Sequence, residues 1–135
     1  MARWLLKTEP DTYSWDDLAR EGRTVWDGIT NALALIHLRS SAPGDEVLIY
    51  HTGAERRAVG LAKIVEGPHP DPRTGDPKRP VVDIVPERPL SSPVTLEQIK
   101  ADPAFAEWAL VRNPRLSFMP VPDHLWQRIL TLSRK

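Results

Sequence analysis

The chain contains no cysteine, which excludes a disulfide framework and every thiolate zinc site and suits a reducing compartment. It lacks an apolar run of membrane-spanning length. Its start, Met1-Ala2-Arg3-Trp4-Leu5-Leu6-Lys7-Thr8-Glu9, is too short and too soon charged for a signal peptide. A cytoplasmic protein with no membrane partner is expected. The chain also lacks an excess of one charge, because 18 Lys and Arg balance 18 Asp and Glu. A protein that holds long nucleic acid by neutralising phosphates is normally basic. A net charge of zero therefore argues against strong non-specific binding, and it allows a pocket that reads one nucleotide or a free small molecule. No P-loop, dinucleotide fingerprint or nucleophile elbow occurs. The histidines His37, His51, His69 and His124 are scattered, with none at a ligand spacing and His69 inside a proline-rich stretch; neither a metal nor a cofactor is expected.

What is present suffices for one core. At 135 residues, 41% of them hydrophobic, the chain reads as one domain spanning 1–135. Arg3 to Lys7 reads as a first strand. Ser14 caps a helix whose two aspartates, Asp16 and Asp17, sit at its positive end, and Gly22 stops it. Asn31 to Arg39 reads as a second helix with Leu33, Leu35, Ile36 and Leu38 forming an apolar surface. Glu46 to Thr52 and Ala58 to Glu66 are strands joined in a hairpin. Gly67 to Pro80, with five prolines, is expected to be an exposed loop, and Val81 to Val85 the next strand. Thr95 and Gln98 have capping-box spacing for a short helix to Ala101, and Asp102-Pro103 begins another helical turn. Leu116 to Met119 is a last strand, followed by a helix from Pro122 to Leu132. Strands scattered among short helices without regular βαβ alternation indicate an α+β fold or a small barrel.

The segment Thr24-Val25-Trp26-Asp27-Gly28-Ile29-Thr30-Asn31 is the most informative. It sets a large aromatic face beside an amide, on a turn leading into an apolar helix. A planar heterocycle such as a nucleobase needs that pair: stacking holds the ring and the amide reads its edge. A tryptophan more often simply fills the core, and spacing alone leaves both roles open for Trp26.

Three further stretches accompany this one: Trp4-Leu5-Leu6-Lys7-Thr8-Glu9-Pro10, Gly44-Asp45 through Tyr50-His51, and Arg115-Leu116-Ser117-Phe118-Met119-Pro120-Val121. Taken in order, the four resemble the EVE-domain family of PUA-like proteins, and the resemblance covers essentially the whole chain. It implies a fold similar to YTH and PUA modules, an α+β PUA-like β-pseudobarrel of about five to six strands with flanking short helices. It also implies recognition of modified bases in nucleic acid. The chain departs from the resemblance on the second helix. Many members carry an Arg just before the Asn, a Gln two residues after it and an Arg four residues after it. Here those positions are Thr30, Leu33 and Leu35, while Asn31 is kept, so any phosphate or base contact those side chains supply is missing.

The expected function is a binding module with a pocket for a modified nucleobase, modified cytosine or similar, in DNA or RNA. Trp26 would stack and Asn31 would read the edge. Thr8, Glu9, Thr30, Tyr50, His51 and Ser117 would complete the wall, with Arg112 and Arg115 as phosphate contacts outside it. Each has a plainer reading beside the functional one. Strand alternation sends Lys7 and Glu9 to one face and Thr8 to the other, where Lys7 and Glu9 can form an edge-strand ion pair; alternatively the Glu9 carboxylate accepts from an exocyclic amine such as cytosine N4. His51 is either a neutral, hydrogen-bonded core residue or, like Tyr50, a pocket wall. Ser117 has no base near it in sequence, which favours a ligand hydrogen bond over nucleophilic catalysis. Arg112-Asn113-Pro114-Arg115 also fits an ordinary basic turn. No catalytic residue is assigned. The alternatives are an ASCH-like amidohydrolase acting on acylated cytidine, which Lys7-Thr8-Glu9 suggests, and a protein-interaction domain with a vestigial pocket.

Overall fold

The computed structural model describes residues 1–134. Six strands form one mixed sheet: β1 (Arg3–Thr8), β2 (Thr24–Trp26), β3 (Glu46–His51), β4 (Arg57–Pro70), β5 (Pro80–Thr95) and β6 (Phe118–Pro120), in the order β2-β5-β4-β3-β1-β6. β1 and β3 run parallel, and every other neighbouring pair is antiparallel. Helices α1 (Trp15–Glu21), α2 (Ala32–Ser40), α3 (Leu96–Ala101), α4 (Ala109–Arg112) and α5 (Asp123–Ser133) flank the sheet. The class is α+β, as expected. Among the described residues no helix is long and apolar enough to cross a membrane.

The centre of the sheet is covered on both faces. Trp4, Leu5 and Leu6 in β1 and Val47 to Tyr50 in β3 are buried without interruption, the pattern of strands enclosed by helices and not of a half-wet sheet. One buried carboxylate pins the parallel pair. Asp45, just before β3, accepts from the Trp4 indole Nε1 at 3.0 Å, from the Ala2 backbone N–H at 3.0 Å and from the Ala42 N–H at 2.9 Å. The Gly44-Asp45 turn and the first tryptophan are thus parts of one device that sets the β1–β3 register.

Helix ends follow local chemistry. Ser14 and Asp17 form a reciprocal capping box, and Gly22, at φ 77°, closes α1 by donating its N–H to Leu18. Thr95 and Gln98 do the same for α3. On α2 the cap is Asn31, whose side-chain oxygen accepts from the Ala34 N–H at 3.0 Å. That helix is less buried than its sequence suggested: Leu35 and Leu38 are inside, but Leu33 and Ile36 are exposed. On α5, Leu125, Trp126 and Ile129 are buried and Leu130 only partly so.

Three differences from the sequence reading matter most, beside shifts of one or two residues at other element ends. Thr24–Trp26 is a short edge strand paired to Ile84, Asp83 and Val82, not simply a turn. β4 continues through Gly67–Pro70, so the exposed loop is only 71–79, and His69 lies on a strand opposite Val81. β5 does not stop at Val85 but runs on through Pro86, Pro89 and Pro93 to Thr95. Beyond the short stretch paired with β2, one edge of β5 has no partner strand, so a proline there forfeits no ladder bond.

Candidate base-binding site

A cavity of about 670 Å3 opens where the end of β1 meets β2 and the turn that follows it. Trp26 leaves β2 half-buried, packed on the edge of the core. β2 is an edge strand only three residues long, and among the described residues no further strand covers its outer side. The Tyr13 ring meets the indole edge-on, with centroids 5.7 Å apart and planes at 79°. The Tyr13 hydroxyl in turn donates to Glu21 at 2.8 Å, which anchors the ring to α1. Burial pushes the Tyr13 phenol pKa up, and the neighbouring Glu21 adds to this. The turn after Trp26 depends on Gly28, whose φ of 81° belongs to the left-handed region.

The floor comes from Lys7, Thr8 and Glu9, with Ser117 beside them. Alternation had sent Lys7 and Thr8 to opposite faces, yet all three residues of the triplet border the cavity. The strand ends at Thr8, so Glu9 is free of the pleat. Their polar ends nevertheless diverge. Lys7 Nζ donates to the Pro114 carbonyl at 2.8 Å, the Thr8 hydroxyl donates to the Tyr13 carbonyl at 2.6 Å, and a Glu9 carboxylate oxygen accepts from the Thr52 hydroxyl at 3.2 Å. The expected Lys7–Glu9 edge ion pair is absent among the described residues, and β1 is no edge strand, lying between β3 and β6. Burial lowers the Lys7 pKa. Arg73, reaching in from the 71–79 loop, ion-pairs with Asp27 at the rim. The cavity therefore carries two cations, Lys7 and Arg73, against two carboxylates, Glu9 and Asp27.

Of the residues expected from sequence, Thr8, Glu9, Trp26 and Ser117 come together here. Thr30 lines a smaller neighbouring depression instead. Asn31 lines neither, because its carbonyl oxygen caps α2. Tyr50 is buried within β3 opposite Lys7 and Ala58. His51 is buried as well: its Nε2 accepts from the Trp15 backbone N–H at 3.0 Å, which leaves Nδ1 to donate to Glu55 at 2.9 Å. It fastens the start of α1 to the sheet and borders no part of the cavity. Tyr50 and His51 are both buried because β3 is covered on both faces, and the register irregularity opposite Ile49 and Tyr50 has its extra residue, Val59, on β4. Arg112 is engaged by Glu107 at 2.7 Å and the Ala106 carbonyl at 3.0 Å, and neither it nor Arg115 reaches the cavity.

The sequence reading missed Tyr13, Asp27 and Arg73. Asp27 stands inside the Thr24 to Asn31 segment and Tyr13 three residues beyond Pro10, where their acidic and aromatic character was the available signal. Arg73 lies in a loop without periodicity and carries none. It also missed a grouping of Glu66, His69 and Asp83, whose ligand-type atoms lie within 4.8 Å of one another. Arg23 supplies the cation there, donating to Asp83 at 2.8 Å and approaching Glu66 at 3.3 Å, while His69 Nε2 lies 2.8 Å from Asp83. The set is an ion-pair network tying β4 to β5 beside β2.

A family model described as the EVE domain matches residues 2–132. A solved structure of a Rhodopseudomonas palustris protein is 35% identical, with a TM-score of 0.94 over 99% of this chain and 94% of that one. Human thymocyte nuclear protein 1 is 26% identical across 99% of this chain and 75% of its own length. The human protein has been crystallised in complex with DNA containing 5-methylcytosine, and that structure is 27% identical, covers 100% of this chain and 99% of the other, and has a TM-score of 0.88.

Proposed function

Because the chain belongs to the EVE-domain family, we propose that its main cavity receives a modified base of DNA, with the exposed face of Trp26 as the stacking platform. The observation that carries this reading is a half-exposed indole on an edge strand, braced by Tyr13 and facing a cavity of about 670 Å3. Such a volume lies within the range of small-molecule pockets. The human relative's complex with 5-methylcytosine DNA supports the choice of ligand. A base enters from a single strand, or from a duplex after extrusion at a cost of a few kcal/mol of unstacking. With Asn31 committed to its helix cap, edge reading falls to Glu9, whose carboxylate at the cavity floor can accept from cytosine N4. A methyl group on C5 would add apolar contact of the kind that Val25 and Ile29 offer in the same wall.

The test is a binding titration with short DNA and RNA strands that differ only in one cytosine or 5-methylcytosine. Tighter binding of the modified strand, lost in Trp26→Leu, supports the reading, and equal binding of both strands by the wild type refutes it. The hydrolase alternative is separable, since only an enzyme would turn over acylated cytidine. The divergent hydrogen bonds of Lys7, Thr8 and Glu9 weigh against a single catalytic cluster.

A further inference from the structure

Beside the main cavity lies a second depression of about 300 Å3, and the two share a wall made by Asp27, Gly28, Ile29 and Arg73. The Arg73–Asp27 ion pair crosses that wall and joins the 71–79 loop to the turn after β2. The loop end of this link is fixed. Asp71 is buried and accepts from the Arg73 backbone N–H at 2.9 Å, which anchors the main chain. The guanidinium lies between two carboxylates: besides its contact with Asp27, itself 38% exposed, it reaches the buried Asp71 carboxylate at 3.4 and 3.5 Å, and the Arg73 side chain stays 69% exposed. Arg79 lines the same depression, is exposed and has no ion-pair partner among the described residues. The two arginines face three carboxylates in this lining: Asp27, Asp71, which holds the Arg73 backbone and guanidinium, and Asp76, which accepts from the Lys78 N–H at 2.9 Å.

We propose that this second depression is a phosphate subsite. It takes the phosphodiester adjoining the base held in the first cavity, with Arg73 and Arg79 as its cations, and the Arg73–Asp27 pair is a latch that exchanges a carboxylate for a phosphate. The proposal rests on the reading of the first cavity as a base pocket. Its chemistry is that of a planar guanidinium fork, which fits a phosphate as well as it fits a carboxylate. An exposed ion pair is weak and gives way readily, so the exchange costs little. A base and its own backbone phosphate are contiguous, as the two depressions are.

The experiment titrates wild type, Arg73→Gln, Arg79→Gln and Asp27→Asn with two single-stranded DNA oligonucleotides, identical except for one cytosine or 5-methylcytosine, at several salt concentrations. Either glutamine should weaken both oligonucleotides alike by about fivefold or more, lower the magnitude of the log-log salt slope by about 0.7, and leave the preference between them unchanged. Asp27→Asn should leave Arg73 paired with Asp71 alone and bind both as tightly as wild type or up to about fivefold tighter, the worth of an exposed ion pair. Melting curves establish that each variant is folded. Wild-type affinity and slope in both glutamine variants overturn the subsite, and so does a preference that collapses with the slope unchanged. Weaker binding by Asp27→Asn overturns the latch. The base-pocket reading fails by a different sign, a wild type with no preference between the oligonucleotides, while the slopes still report on Arg73 and Arg79.

Discussion

Replacing Trp26 with leucine separates a binding platform from a core filler. The indole is half-buried, so the substitution acts on two quantities that can be measured apart. On the protein side it removes an edge-on contact with Tyr13 at 5.7 Å, worth about 0.5–1.5 kcal/mol, and some apolar burial. A total loss of about 1–2 kcal/mol corresponds to a melting temperature about 3–8 °C lower for a chain of this size. On the ligand side it removes base stacking worth about 1–3 kcal/mol, which is about a five- to 150-fold rise in Kd. Trp26→Phe should keep part of both. Trp15 serves as the internal comparison. It is 8% exposed and borders no part of the cavity, so Trp15→Leu should cost about 2–4 kcal/mol of stability and leave the affinity of the folded fraction unchanged. The assay pairs a melting curve with a titration against a 5-methylcytosine oligonucleotide for each variant. If Trp26→Leu melts several degrees lower while its folded fraction binds as tightly as wild type, the pocket lies elsewhere and the stacking argument is wrong.

Gly60 is where the Trp15 ring rests on β4. An added Cβ would come within 2.6 Å of indole carbons, so Gly60→Ala should destabilise by about 1–3 kcal/mol; an unchanged denaturation midpoint would contradict this packing. His69 should impose a pH dependence on stability. Its hydrogen bond to Asp83, then that to the Pro70 carbonyl, hold its pKa above 6.5. Its contribution is therefore complete below that pH and is lost as pH rises through the raised value. The melting advantage of wild type over His69→Gln should shrink between pH 6 and pH 9, and a constant gap would exclude the charged pair. For Asp83, burial opposes ionisation, but hydrogen bonds from Arg23 and His69 outweigh it and lower the pKa, so its contribution disappears only as pH falls below the ordinary range. Binding to single-stranded DNA should show a log-log salt slope of magnitude below about 3, since each phosphate contact adds about 0.7–0.9; a steeper slope would reveal a basic surface beyond Arg73 and Arg79.

How far the sequence led depended on whether structure was decided locally. Ser14 with Asp17, Thr95 with Gln98, and Gly22 each act within four residues, and all three were legible because a cap needs no distant partner. Trp26 and the Glu9 turn were legible as motifs, although only the fold shows that they face one cavity. The failures share a different cause. Asn31 has the right chemistry to read a base, but the same carbonyl oxygen has the right chemistry to cap a helix, and the backbone N–H three residues on is nearer than any ligand. Tyr50 and His51 were expected in the pocket wall because they end a motif, but a strand covered on both faces buries consecutive residues alike. The strand was read only as far as Val85, because a sequence does not state which edge of a proline-bearing strand will lack a neighbour. Arg73 is the extreme case. Nothing in a proline-rich loop marks one arginine among several, and its position opposite Asp27 is created by β2 pairing with β5, a contact between segments about 60 residues apart. Cavity residues supplied by such long-range closure are the ones that motif reading omits, which is why Trp26 was singled out from the sequence and Arg73 beside it was not.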